Sequence, residues 1–81
     1  MQMYEQTLKE LYEVIEDELG IEKGEIKETS RISTDLDVNS LELLNLVMAV
    51  EEAFNMTFDE DKLKKLKTVG DFANYIVQLK S

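Results

Sequence analysis

The run Asp35-Leu36-Asp37-Val38-Asn39-Ser40-Leu41-Glu42-Leu43-Leu44 decides how this chain folds. A polar approach ends there and an apolar, helix-periodic segment begins, with one serine at the junction. Asn39 suits a helix N-cap, and Glu42, three positions on, completes a capping box. Losing such a cap costs about 1 kcal/mol. The helix so started runs to about Phe54. Leu43, Leu46, Val47, Val50 and Phe54 share one face, while Leu41, Leu44 and Met48 form a second apolar stripe on another. A helix apolar over that width is either deeply buried or offers a docking surface. In so small a domain we favour docking.

The flanking segments are helical too. Tyr4, Leu8, Leu11, Tyr12, Ile15 and Leu19 fall at 3.6-residue spacing, which predicts an amphipathic helix over residues 3–19 that stops at Gly20. Residues 20–39 read as a long loop pinned at Ile21, Ile26, Ile32 and Leu36, with a short turn near residues 30–35. Loops of about 20 residues are uncommon in compact domains and are often functional. Asp59-Glu60-Asp61 followed by Lys62, Lys64 and Lys65 places acids before bases, which suits a short helix dipole. Thr68-Val69-Gly70-Asp71 is a second capping signal, and Val69, Phe72, Ala73, Ile76 and Val77 give the inward stripe of a last helix ending near Leu79. No strand-period segment is long enough to matter. The predicted fold is all-α: one domain over residues 1–81, a small four-helix bundle of three longer helices and one short one, with a long loop between the first two.

Composition narrows the chemistry. Residues 1–61 carry 17 acidic and 4 basic side chains and residues 62–81 carry 1 and 5, which sum to 18 and 9 and give a net charge of −9. Such a field repels nucleic acid and anionic lipid and steers toward basic protein surfaces. The chain has no Cys and no His, so thiolate and imidazole metal ligands are both missing. No signal peptide and no membrane span are visible, so a cytoplasmic protein without stable membrane association is expected. The Asn55-Met56-Thr57 sequon carries no meaning without secretion.

Two functional classes fail on the residues. Asp35-x-Asp37-x-Asn39 imitates the start of a calcium loop, but Ser40 and Leu46 hold the positions that need Gly and a bidentate Glu. No metal site is expected. A serine nucleophile needs a positioned base, no His exists, and no Ser-x-x-Lys pattern occurs at Ser40. No catalytic residue is expected. On the residues alone, Ser40 reads either as a helix-start residue sharing the capping job with Asn39 or as a place where another enzyme attaches something.

Asp35-Leu36-x-x-Asn39-Ser40-Leu41-Glu42, then Leu46-Val47-Met48-Ala49-Val50-Glu51-Glu52-Ala53-Phe54, and later Thr68-Val69-Gly70-Asp71-Phe72-Ala73-Asn74-Tyr75-Ile76 resemble an acyl carrier protein. The resemblance spans nearly the whole chain in order. It implies that Ser40 receives 4′-phosphopantetheine from coenzyme A through a magnesium-dependent phosphopantetheinyl transferase. The arm's thiol would then carry acyl groups as thioesters between enzymes of fatty-acid, lipid or polyketide-type synthesis. A helix N-terminus favours a phosphodiester anion, and the modifying enzyme supplies the base.

The resemblance also implies partner contacts through Asp35, Asp37, Asn39, Glu42, Glu51 and Glu52, with Leu41, Leu44 and Met48 between them, against basic grooves of acyl-processing enzymes. An acyl pocket would be lined by Val47, Val50, Phe58, Leu63, Leu66 and Ile76, and the bulk of Phe58 and Leu63 predicts a tight interior. The chain departs from the family pattern at Asn39 (usually Asp), Asp37 (commonly Gly), Asn45 (often acidic) and Lys64 (often acidic). These departures leave the choice of transferase and acyl enzymes open. Two other readings stand beside it: an aminoacyl or peptidyl carrier, and an unmodified acidic interaction module. The simplest assembly is a monomer.

Overall fold

The computed structural model describes residues 3–80; residues 1, 2 and 81 of the expected 1–81 domain lie outside the described residues. The elements are α1 (Met3–Leu19), a 3₁₀ turn (Lys23–Glu25), α2 (Ser40–Phe54), α3 (Glu60–Leu63) and α4 (Val69–Lys80). Three longer helices and one short one form the bundle, as the periodicities predict. Its radius of gyration of 11.5 Å matches the roughly 12 Å expected of a compact chain this long.

The core lies where α1, α2 and α4 face one another. Leu11, Ile15, Leu46, Val50, Val69, Phe72, Ala73 and Ile76 are almost completely buried. Full burial of such side chains contributes about 1.5–3 kcal/mol each, which offsets backbone ordering in a small domain. Leu43, expected on the inward face of α2, is only half-buried and packs at the core's edge. Gly20 ends α1 with φ +70° and donates to the Glu16 carbonyl at 2.8 Å. Asn55 ends α2 in the left-handed region at φ 52°, a conformation that Asn tolerates better than most residues.

The long loop is better anchored than its polarity suggests. Ile26 and Ile32 are buried, and Ile21 and Leu36 are half-buried, as expected. Two further anchors were not legible: Val38, also buried, and Ser30, whose hydroxyl accepts from the Lys27 N–H at 3.0 Å. The loop then clasps the start of α4. Ile32 donates to the Lys67 carbonyl (3.1 Å), Val69 to Ser30 (3.0 Å) and Gly70 to Glu28 (2.8 Å). Arg31 and Thr68 form an isolated antiparallel bridge there. A bridge of one pair leaves the absence of extended strand pairing intact among the described residues.

The clasp satisfies donors that every helix start leaves orphaned. At α4 the Val69 and Gly70 N–H groups go to the loop. The Asp71 N–H goes to Thr68 Oγ1 at 3.1 Å, while Asp71 Oδ2 accepts from Lys67 (2.9 Å) and Thr68 (3.1 Å). These bonds hold the Asp71 carboxyl below its ordinary range, the Lys67 N–H first among them and burial opposing. Burial pushes the Tyr4 hydroxyl up, with the Glu28 and Asp71 carboxylates adding to the shift. The loop is thereby tied to α4 at one end and delivers Asn39 to α2 at the other.

Candidate functional site

Asn39 is the N-cap of α2, with extended backbone at φ −81° and ψ 176°. Its side-chain oxygen accepts from the Glu42 N–H at 2.8 Å, and Glu42 Oε1 accepts from the Asn39 N–H at 3.1 Å. The Asn39 carbonyl takes the first intrahelical bond from Leu43 at 2.9 Å. Asn39 and Glu42 therefore complete the capping box between themselves. Ser40 is the first helical residue, exposed, and its hydroxyl is left out of the cap.

The first turn keeps two spare donors. The N–H groups of Ser40 and Leu41 have no acceptor within the helix, and among the described residues no turn or cap bond takes them up. They lie at the positive end of the helix dipole, beside the Ser40 hydroxyl. Such a place suits an anionic ester of that hydroxyl. It does not activate the hydroxyl, because the chain has no imidazole to act as base.

The approach to Ser40 is set by two residues. Buried Val38 pins the chain to the core, and Asp37 turns it with φ 52°. This left-handed conformation costs a non-glycine residue energy, which explains why a glycine suits position 37. Asp35 Oδ2 accepts from the Arg31 N–H at 2.9 Å and so closes the preceding turn.

The acidic residues expected at a partner surface divide into two kinds. Asp35, Glu42 and Glu51 each give a carboxylate oxygen to a backbone N–H; for Glu51 the donor is Phe58, at 2.9 Å across the α2–α3 connection. Glu51 is half-buried as well. Asp37 and Glu52 are exposed and make no side-chain hydrogen bond among the described residues. The apolar stripe between them is bare: Leu41 is 67% exposed, Leu44 56% and Met48 58%. Three large apolar side chains in a row on one helix make a contiguous apolar patch.

The expected acyl-pocket residues differ in exposure. Val50 and Ile76 are completely buried, and Val47 nearly so. Phe58 is fixed by its neighbours, edge-on to Phe72 (centroids 5.6 Å apart) and stacked on Tyr75 (5.2 Å). Leu63 and Leu66 are half-buried and line a cleft of about 180 Å³ together with Ile32, Leu43, Lys64 and Lys67. This volume lies below the roughly 300 Å³ at which small-molecule pockets begin. Sequence reading missed Ile32, Leu43 and the two lysines in this role. Only the packing of the loop against α3 brings them together.

Comparison with known proteins gives the family. Residues 9–76 match the model of the family described as "Phosphopantetheine attachment site". The acyl carrier protein of Exiguobacterium sibiricum is 42% identical over 72 residues, covering 89% of this chain and 91% of the relative. That of Wolinella succinogenes is 39% identical over 67 residues, covering 83% and 88%. That of Tropheryma whipplei is 31% identical over 77 residues, covering 95% and 94%. With a family model spanning most of its length and relatives aligned nearly end to end, this chain belongs to the phosphopantetheine-binding acyl carrier protein family.

Proposed function

We propose that Ser40 is the attachment point of the prosthetic arm and that this chain carries acyl thioesters between enzymes of fatty-acid, lipid or polyketide-type synthesis. As an acyl carrier protein it is a carrier and not an enzyme, and its cofactor is covalently attached 4′-phosphopantetheine. When attached, the arm supplies a terminal thiol on which an acyl group rides. The observation that carries the assignment is the division of labour at α2. Asn39 and Glu42 close the cap, which leaves the exposed Ser40 hydroxyl free to be esterified.

In the attachment step, Ser40 Oγ forms a new bond to phosphorus, and adenosine 3′,5′-bisphosphate leaves coenzyme A. The hydroxyl proton passes to a base of the transferase. On this chain the Ser40 and Leu41 N–H groups would be the donors nearest to hand for the resulting diester anion. Asn39 caps as well as Asp would, with one negative charge fewer beside that anion. The partners are a phosphopantetheinyl transferase and acyl-processing enzymes. Within that class, basic grooves suit the exposed Asp37 and Glu52, and apolar pockets suit Leu41, Leu44 and Met48. Glu42, Asp35 and Glu51 serve the same face while also holding backbone N–H groups. We read the chain as a cytoplasmic monomer; among the described residues no helix is long and apolar enough to cross a membrane.

Intact-mass measurement tests the assignment. Incubation with coenzyme A, magnesium and a broad-specificity transferase adds one phosphopantetheinyl group to the chain, and Ser40→Ala abolishes the gain. An unchanged mass in the unmutated chain would favour the unmodified interaction module instead.

A further inference from the structure

Seventeen of the 18 acidic residues, all but Asp71, lie before residue 62. Lys62, Lys64, Lys65 and Lys67 follow within six residues, and two of them, Lys64 and Lys67, line the cleft between α2, α3 and the long loop. The rest of that lining is apolar apart from Ser33, and no carboxylate takes part in it. The Lys67 backbone N–H donates to Asp71 Oδ2 at 2.9 Å, but the ammonium group of neither lysine makes an ion pair among the described residues. Two lysines whose ammonium groups make no ion pair among the described residues thus line the same cleft as Leu43, Leu63 and Leu66, a small amphipathic receptor on a protein whose field elsewhere repels anions.

Leu43 connects this receptor to the proposed attachment point. It stands one helical turn after Ser40, about 4.5 Å along the axis, and its half-buried side chain faces the cleft. A purely alkyl cargo would find apolar walls there and gain nothing from the lysines, whose heads stay in water. A cargo of a few methylenes ending in a carboxylate would use both features. Its chain would cover Leu43 and Leu63, and its terminal oxygens would take charge-assisted hydrogen bonds from the ammonium groups. The cleft's volume of about 180 Å³ suits a short chain only.

We propose that Lys64 and Lys67 are specificity-determining residues that make this carrier hold short acyl cargo ending in a carboxylate, the half-thioester of a dicarboxylic acid, in preference to neutral cargo of the same length. The proposal rests on Ser40 bearing the arm.

The test loads the full chain from glutaryl- or pentanoyl-coenzyme A with a broad-specificity transferase, verifies each product by intact mass, and records methyl NMR spectra. Glutaryl cargo shifts the Leu43, Leu63 and Leu66 methyls and the Lys64 and Lys67 ε-carbons more than pentanoyl does, because its bound-to-free ratio is about 1.4–5-fold higher, the range that exposed ion pairs produce. The excess disappears in the exposed double variant Lys64→Gln/Lys67→Gln. It also disappears in about 1 M salt, where the screening length falls to about 3 Å. Equal shifts for the two cargoes, or an excess that survives the double substitution, overturn the proposal while the carrier reading stands. Lysine shifts of the same size with the unloaded arm also overturn it, because the lysines would then be reading the arm's phosphodiester. Failure of the transferase to modify Ser40 removes the carrier reading and this proposal together.

Discussion

The Gly70 N–H donates to the Glu28 carbonyl at 2.8 Å, and a Cβ on residue 70 would stand 3.0 Å from that same oxygen. A side chain at residue 70 would therefore crowd the hydrogen bond that ties the long loop to α4. In an open helix, Gly→Ala adds stability, up to about 1 kcal/mol. Here the added methyl would also approach the Tyr4 hydroxyl at 3.3 Å. We expect Gly70→Ala to destabilise the fold by about 1–2 kcal/mol, as overpacking does. Urea denaturation measures it; a gain in midpoint would contradict the clasp as described.

Asp37 gives the opposite sign. Its φ of 52° is a position at which glycine relieves steric cost. Asp37→Gly is expected to raise stability by about 0.5–1 kcal/mol, and Asp37→Val to lower it by more. A thermal melt of the two variants beside the parent decides the matter. A melting temperature lowered by glycine would mean that the Asp37 side chain contributes more than its backbone strain removes.

Glu51 separates structure from docking. Its carboxylate accepts the Phe58 N–H at 2.9 Å. Glu51→Ala leaves that part-buried donor unpaired and should cost about 1–3 kcal/mol. Glu51→Gln keeps an acceptor and loses the charge. It should stay within about 0.5 kcal/mol of the parent. Equal losses in the two variants, measured by urea titration, would show that charge rather than hydrogen bonding is what position 51 supplies.

The Asp71 carboxyl predicts an acid limb. Its folded-state pKa is lowered chiefly by the Lys67 N–H, with the Thr68 bonds adding and burial opposing. A depressed carboxyl contributes stability that is present above its unfolded pKa and is lost as pH falls through the folded value. The stability gap between the parent and Asp71→Asn is therefore expected to be constant near neutrality and to close below the ordinary aspartate range. Denaturation at a series of acidic pH values measures the gap; one that widens toward low pH would contradict the assigned sign.

Capping at Asn39 is the fifth stability test. Asn39→Ala removes the acceptor of the Glu42 N–H and should cost about 1 kcal/mol. Asn39→Asp retains it. If Asn39 is only a neutral cap, both the parent and Asn39→Asp accept the arm. A sharp rise in modification of the Asp variant would show that the asparagine hinders the transferase, and would point to a degenerate carrier.

The helices were legible because each announces itself locally. Asn39 with Glu42, and Thr68 with Asp71, are capping pairs at fixed spacing, and Gly20 stops α1. The apolar stripes then assign faces without reference to anything distant. The loop resisted because its structure is made by backbone partners remote in sequence. Nothing near Glu28 or Ser30 signals that their carbonyls cap α4, and nothing near Gly70 except the glycine itself hints at the contact. Asp37 was visible as a departure from a glycine, but its left-handed backbone needed coordinates. At the site, the serine and the bare stripe Leu41, Leu44 and Met48 could be read from periodicity. The backbone bond of Glu51, seven residues away, and the gathering of Leu43 with Lys64 and Lys67 could not, since both depend on how α3 folds back.

The central claim concerns one hydroxyl, and locating the modification tests it most directly. Ser33 is also exposed and lines the cleft, whereas Ser30 is buried, so Ser33 is the natural control. After treatment with coenzyme A and transferase, the protein is digested and its peptides are fragmented in a mass spectrometer. The account predicts that the phosphopantetheinyl group is found on Ser40 and nowhere else. A modified Ser33, or an unmodified Ser40 in a folded chain, would contradict it.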